Sequence, residues 1–297
     1  MLHHASEFKV QSLDDHRALN KGLLRDLRRV VHWSEALEQA ETLERSSEVL
    51  QRVEKDVFRI AVVGEFKRGK STLINALLGR EILPADILPC SATLNRVTYG
   101  LQPAVKLRFK PDSSGNRREE TISIDALSDY VTKLTPDSEQ RAAGIEEAVV
   151  YYPVKYCRDK ADIIDTPGLN DDAAMTDVTL QVLPKVDAAI LVILAQSPFS
   201  SYEADFLSNM LTHDLGRVLF VVNRMDEIRR PRDRERVLQA VRDRIRRTLE
   251  DRAAALHGEG TEAYREILKR VGTPKVFGLS GGLALDARLE DDAAMLE

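Results

Sequence analysis

The stretch GEFKRGKST, Gly64 to Thr72, raises the first chemical question, because it places two glycines around four bulky or charged residues and then ends on a lysine and two hydroxyls. Such spacing fits a phosphate-binding loop, in which backbone N–H groups wrap phosphate oxygens and the lysine neutralises their charge. Gly64, Glu65, Phe66, Lys67, Arg68, Gly69, Lys70, Ser71 and Thr72 are therefore the candidate nucleotide-binding residues. Lys70 sits at the phosphates and Ser71 is a ligand for Mg²⁺. A second site segment is NRMD, Asn223 to Asp226, after the apolar run RVLFVV. Asp226 there accepts two N–H donors from the edge of guanine. Adenine offers an acceptor at its ring nitrogen and would leave buried polar groups unpaired, a mismatch that discriminates strongly. Asn223 is expected to tie this segment back to the phosphate loop. The third is DIIDTPGLN, residues 162 to 170. Asp165 is placed to reach Mg²⁺ through water, and the Gly168 N–H to sense the terminal phosphate, the arrangement by which hydrolysis releases a switch segment.

These residues need elements to hold them. Strand-like runs fall at 57 to 63, 93 to 99, 104 to 109, 147 to 155, 161 to 165, 186 to 194, 217 to 223 and 275 to 279. Helical patterns fall at 70 to 79, 125 to 134, 172 to 183, 202 to 212, 232 to 256 and 261 to 271. Strands alternating with helices predict an α/β fold with a mainly parallel sheet covered by helices on both faces, and the ligand at the carboxyl ends of its strands. Ahead of the sheet, residues 12 to 56 carry an apolar stripe through Leu19, Leu23, Leu27, Val30 and Val31 that reads as one long helix or two stacked ones. Residues 111 to 120 read as a surface turn between an antiparallel pair. Residues 229 to 252 hold ten arginines against five acids and read as a solvated helix face crossed by ion pairs.

Composition narrows the class. With 43% hydrophobic residues, 31% charged and a net charge of −5 over 297 residues, the chain reads as a soluble globular protein for which nucleic acid is not an obvious partner. Its longest apolar run, AAILVILA, is far short of the roughly 20 residues that span a bilayer, and the start of the chain lacks the pattern of a secretory signal. Cys90 and Cys157 are too few for a disulfide framework, which points to a reducing cytosol, and each reads as a small buried hydrophobe.

Together the motifs resemble those of a GTPase, and GEFKRGKSTLINALLG, ILPADILPCSATLNRVTYG, DTPGL, SPFSSYEADFL, NRMD and VFGLSGGLALDARL resemble the dynamin-like large GTPases, especially bacterial members, over residues 57 to about 290. The 73 residues between Ser91 and Asp165 suit the enlarged G domain of that family, whereas small GTPases place those two segments close together. The resemblance implies a helical neck segment at 1–56, a GTPase domain at 57–282 and the start of a return neck helix at 283–297, in a truncated chain whose apolar stripe is short of partners. It implies GTP, GDP and Mg²⁺ as ligands, pairing of two G domains across the nucleotide, and membrane remodelling by fusion, fission or tethering. Membrane lipid would be reached through segments absent here, in a cytoplasmic protein peripheral to the membrane.

Several positions depart from the family. Ser91 is the best match to its Mg²⁺-binding threonine, with Thr93 as a fallback. Arg224 replaces the usual lysine and keeps an aliphatic stem beside the base. Ser280, Gly281 and Gly282 stand where serine, alanine and a basic residue are common. Leu169 stands where small GTPases of the Ras type carry the glutamine that orients the attacking water. Catalytic charge then falls to Lys67, where dynamins have a serine that helps bind a monovalent cation, with Arg68 as the competing candidate. Whether K⁺ or Na⁺ takes part is left open. Two other readings remain: an Era-like GTPase acting on ribosomes or RNA, and a GTP-binding scaffold with little turnover.

Overall fold

The computed structural model describes residues 13–55, 57–84, 94–131, 136–158, 160–169, 182, 185–197, 199–210 and 218–290. The chain divides into two compact units, residues 1–57 and 58–297.

The first unit is a pair of helices, α1 (Leu13–Ala36) and α2 (Ala40–Lys55), so the stripe at 12 to 56 folds as two helices rather than one. They turn at Glu38, which adopts a left-handed conformation (φ 54°). Arg28 on α1 pairs with Glu54 on α2 at 2.8 Å. Leu19, Leu23, Val30, Trp33 and Leu37 are exposed on this unit.

The second unit is built on a nine-stranded sheet ordered β4-β3-β5-β2-β6-β1-β7-β8-β9 among the described residues. Its strands are β1 (Phe58–Val63), β2 (Leu94–Tyr99), β3 (Ala104–Phe109), β4 (Glu119–Ile122), β5 (Ile145–Tyr152), β6 (Ala161–Asp165), β7 (Ala188–Leu194), β8 (Val218–Asn223) and β9 (Lys275–Gly278). The run β6-β1-β7-β8-β9 is parallel throughout. β2 joins it antiparallel to β6, carrying β5 beside it in parallel, and β3 pairs antiparallel with both β5 and β4. The sheet is therefore mixed but mainly parallel.

Alternation along β1 explains why both faces are covered. Ala61 and Val63 enter one core with Leu191, Ile193, Leu207 and Ile245, while Val62 enters the other with Ile74, Val97, Leu107 and Val150. Helices α6 (Ser201–Met210) and α7 (Pro231–His257) bury Phe206, Leu207, Val241 and Ile245 in the first core. Helix α3 (Lys70–Leu78) buries Leu73, Ile74 and Leu78 in the second, with Leu127 and Val131 of α4 (Leu127–Val131). The remaining helices are α5 (Pro136–Ala143), α8 (Glu262–Val271) and α9 (Gly281–Leu289). α9 begins at Gly281, two residues ahead of the expected return helix at 283, and Leu285 and Ala287 are buried on it. Arg236 with Asp233 and Arg242 with Glu235 supply ion pairs on the arginine-rich α7.

Candidate nucleotide site

β1 ends at Val63 and α3 begins at Lys70, so residues 64 to 69 must turn the chain at the carboxyl edge of the sheet. The turn fixes both glycines. A Cβ on Gly64 would lie 2.5 Å from the Val192 carbonyl oxygen, and Gly69 sits at φ +83° with its missing Cβ 2.4 Å from Asn223 Nδ2. A loop stripped of side chains at such points brings its backbone close to a ligand. The Lys70 ammonium donates to the carbonyls of Gly64 (3.1 Å) and Glu65 (3.0 Å), holding the loop wrapped around its own lysine. Lys67 crowns the loop, exposed and left-handed (φ 60°), with its ammonium 5.3 Å from the centre of the Phe66 ring.

Arg68 lies elsewhere. It is buried, and its guanidinium pairs with Glu65 and with Glu203 of α6. Its charge is thus spent on two carboxylates beneath the loop, which separates it from Lys67 as a source of charge for phosphates.

On the α3 side, the Ser71 hydroxyl donates to Asp165 Oδ2 at 2.8 Å. Asp165 ends β6 next to β1, with Asp165 in register with Val62, and is itself buried. A hydroxyl and a carboxylate side by side are hard oxygen donors of the kind Mg²⁺ takes, so these residues fit that ion. Ser91 and Thr93 lie outside the described residues, as do Cys90 and all but residue 182 of the helix read at 172 to 183. Cys157 is buried, and loss of water pushes its thiol up to about 11.

The segment after Asp165 packs onto the loop. Thr166 Oγ1 donates to the Val62 carbonyl (2.9 Å), and the Leu169 N–H donates to the Gly64 carbonyl (3.1 Å). Leu169 is buried. A Cβ on Gly168 would stand 2.8 Å from Phe66 N, so only glycine permits this approach.

The NRMD segment is held by one residue. Asn223, buried at the end of β8, donates from Nδ2 to the Arg68 carbonyl (2.9 Å). Its Oδ1 accepts from the N–H of Gly281 (2.8 Å) and of Arg224 (2.9 Å). The phosphate loop, the NRMD turn and the start of α9 therefore meet on a single side chain. Beside it opens a cavity of about 280 Å³ lined by Gly69, Thr72, Arg224, Asp226, Ser280 and Gly282, among others. Asp226 is exposed into this opening, and Ser280 caps α9 by accepting the Leu283 N–H at 3.3 Å. Arg224 takes the left-handed conformation (φ 58°) that turns the chain after β8.

Residue-by-residue reading of the sequence missed two buried polar groups. Asn75 is fully buried on α3 and holds Ile82 and Leu83 through their N–H groups and the Leu83 carbonyl. Its signal was a lone amide inside the apolar run STLINALLG. Glu203 is the second, and the spacing Ser200-x-x-Glu203 is the sequence mark of a helix-capping box.

The sequence profile of the dynamin family matches residues 60–225, more than half of the 297 residues. The chain belongs to the dynamin family. A bacterial dynamin-like protein of Nostoc punctiforme is 32% identical over 257 residues, 83% of this chain and 36% of that protein. Dynamin-like protein 1 of Campylobacter jejuni is 24% identical over 274 residues, 82% of this chain and 37% of that protein. A solved structure described as an oligomerised bacterial dynamin pair that senses and tethers membranes at long range superposes with a TM-score of 0.65 over 95% of this chain and 41% of its own, at 20% identity. The chain spans between about a fifth and just over half of the length of the curated relatives it matches. No helix among the described residues is long and apolar enough to cross a membrane.

Proposed function

We propose that this chain is the GTPase part of a dynamin-like protein, which binds GTP at the loop between β1 and α3, hydrolyses it to GDP and phosphate, and pairs with a second copy across the nucleotide to drive membrane fusion, fission or tethering. The observation that carries the reading is Asn223, whose hydrogen bonds join the phosphate loop to the pocket of Asp226. In this reading the loop N–H groups and Lys70 bind the phosphates, Asp226 reads guanine, and Arg224, Ser280 and Gly281 border the base. Ser71 and Asp165 hold Mg²⁺, which when bound offsets charge on the phosphate oxygens. Gly168 registers the terminal phosphate through its N–H. Residues 1–56 serve as the neck, and lipid is engaged by other parts of the whole protein.

Leu169 supplies no polar group to orient water, so the remaining charge must come from the loop's crown. Lys67 is the exposed cation there, free to face phosphates when a second G domain covers the site, and preorganised charge in such a closed space is worth several kcal/mol. The buried Leu169 also favours a second reading, a nucleotide-dependent switch with little turnover of its own.

The test is turnover per chain against protein concentration, on GTP and on ATP, with Mg²⁺ and either Na⁺ or K⁺. Turnover that rises with concentration on GTP alone supports the first reading. Tight GTP binding with a flat rate near zero supports the second. Lys67→Ala should lower turnover in the concentration-dependent regime and leave GDP affinity within about threefold, since it is charge for the transition state that is removed.

A further inference from the structure

The pair of buried carboxylates beneath the loop is not required by any step above. Glu203 has no exposed surface, and the side chains of Arg68 and Glu65 are only 7% and 15% exposed. Ser200 and Glu203 form a reciprocal capping box at the start of α6: the Ser200 N–H donates to Glu203 Oε2 at 2.8 Å, and the Glu203 N–H donates to Ser200 Oγ at 3.2 Å. A cap needs nothing more, and it works on a solvent-facing helix end. Here both members reach further. The Ser200 hydroxyl donates to Glu65 Oε1 at 2.6 Å, and Glu203 Oε1 lies 3.2 Å from Arg68 Nε.

Two other features show that this junction is held in place. Phe199, next to Ser200, is buried and left-handed at φ 66°, a conformation that a bulky residue adopts only where its surroundings impose it. The Arg68 carbonyl is also the acceptor for Asn223. The side chain of Arg68 is therefore tied to α6 and its backbone to the base-reading turn.

We infer that Glu203 is a positioning residue of the phosphate loop: with Glu65, which Ser200 holds, it grips the Arg68 guanidinium, so that the loop already has its nucleotide-binding shape before nucleotide arrives. This rests on the proposed function. Holding two carboxylates against one guanidinium, with Glu203 fully out of water, costs stability. The return is a site whose competent form dominates, and affinity falls in proportion when that fraction falls.

Glu203→Gln separates this role from capping, because glutamine serves equally at that position of a capping box but carries no charge for Arg68. Affinities for fluorescent GDP and for a non-hydrolysable GTP analogue are measured at about pH 8, where carboxylates are ionised, well below the melting temperature and with circular dichroism as the fold control. Both should weaken together by about tenfold while the melting temperature holds or rises, as when the competent fraction drops to about a tenth. Ser200→Ala, which cuts the link to Glu65 together with the capping bond from the Glu203 N–H, is the second variant should Glu203→Gln not fold, and should weaken both nucleotides at least about twofold on the same basis. Folded Glu203→Gln protein that binds both nucleotides as the wild type does would overturn the inference, leaving a purely structural cluster. So would a loss confined to the GTP analogue, which would place the effect at the terminal phosphate. A wild-type chain that bound neither guanine nucleotide would refute the functional reading itself and the inference with it.

Discussion

Asn223→Ala removes the side chain on which the site converges, and its cost can be worked from the hydrogen bonds lost. The Arg68 carbonyl and the Gly281 N–H both lose a buried partner, while the Arg224 N–H lies at the half-buried edge of the pocket, where water can replace it. Orphaning a buried polar group costs about 1–3 kcal/mol, so two of them cost roughly 2–6 kcal/mol. In a unit running from residue 58 to 297, each kcal/mol lowers the melting temperature by about 2–4 °C, giving a drop of roughly 4–24 °C. The affinity for GDP should fall at least about tenfold, a change worth about 1.4 kcal/mol, because loop and base turn no longer hold one another. Asn223→Asp sharpens the test. It keeps the acceptor for Gly281 and Arg224 but sets a carboxylate against the Arg68 carbonyl, so it should retain more stability than alanine yet lose as much affinity. Thermal unfolding by circular dichroism and titration with fluorescent GDP read both quantities. An alanine variant melting within about 2 °C of the wild type, against the expected loss of several kcal/mol, or binding GDP unchanged, would refute the reasoning.

Two further outcomes are expected. Gly168→Ala forces a Cβ to within 2.8 Å of Phe66 N and so must push the segment off the loop; GTP turnover should fall more than about tenfold while GDP affinity stays within about threefold, because in the proposed function only the terminal phosphate is sensed there. Burial pushes the Glu203 carboxyl up to about 7, opposed by Arg68 and the Ser200 N–H and reinforced by Glu65. A group raised in the folded state contributes stability below its unfolded value, near 4.5, that is lost as pH rises through about 7. Unfolding free energy should therefore decline by up to about 3 kcal/mol from this group between those values, and Glu203→Gln should flatten that part of the denaturant-derived stability profile.

The strands were legible because the sheet is buried on both faces: FRIAVV, AAILVIL and VLFVVN are apolar runs bounded by turn residues, and each forms a strand within a residue or two of its expected limits. β4 was hidden, since the polar EETI at a sheet edge carries no apolar period, although the turn before it correctly implied an antiparallel partner. Helix α5, PDSEQRAA, escaped for the same reason. In the candidate site, the local motifs were readable because each is a contiguous stretch set by backbone geometry. The Arg68 pair with Glu203 was not, because Glu203 lies far along the chain and only the fold brings α6 to the loop. A loop arginine read alone looks like a free cation; the carboxylates that claim it are a property of packing.

The most direct measurement compares the affinities of GDP, ADP and xanthosine diphosphate for the wild-type chain and for Asp226→Asn. The expected result is wild-type preference for GDP over ADP by about a hundredfold or more, the scale set by unpaired buried polar groups. Asp226→Asn should exchange this for a preference for xanthosine diphosphate, whose extra ring carbonyl accepts from the new amide. Equal binding of GDP and ADP by the wild type, or a variant that kept its preference for GDP, would contradict a guanine site at Asp226.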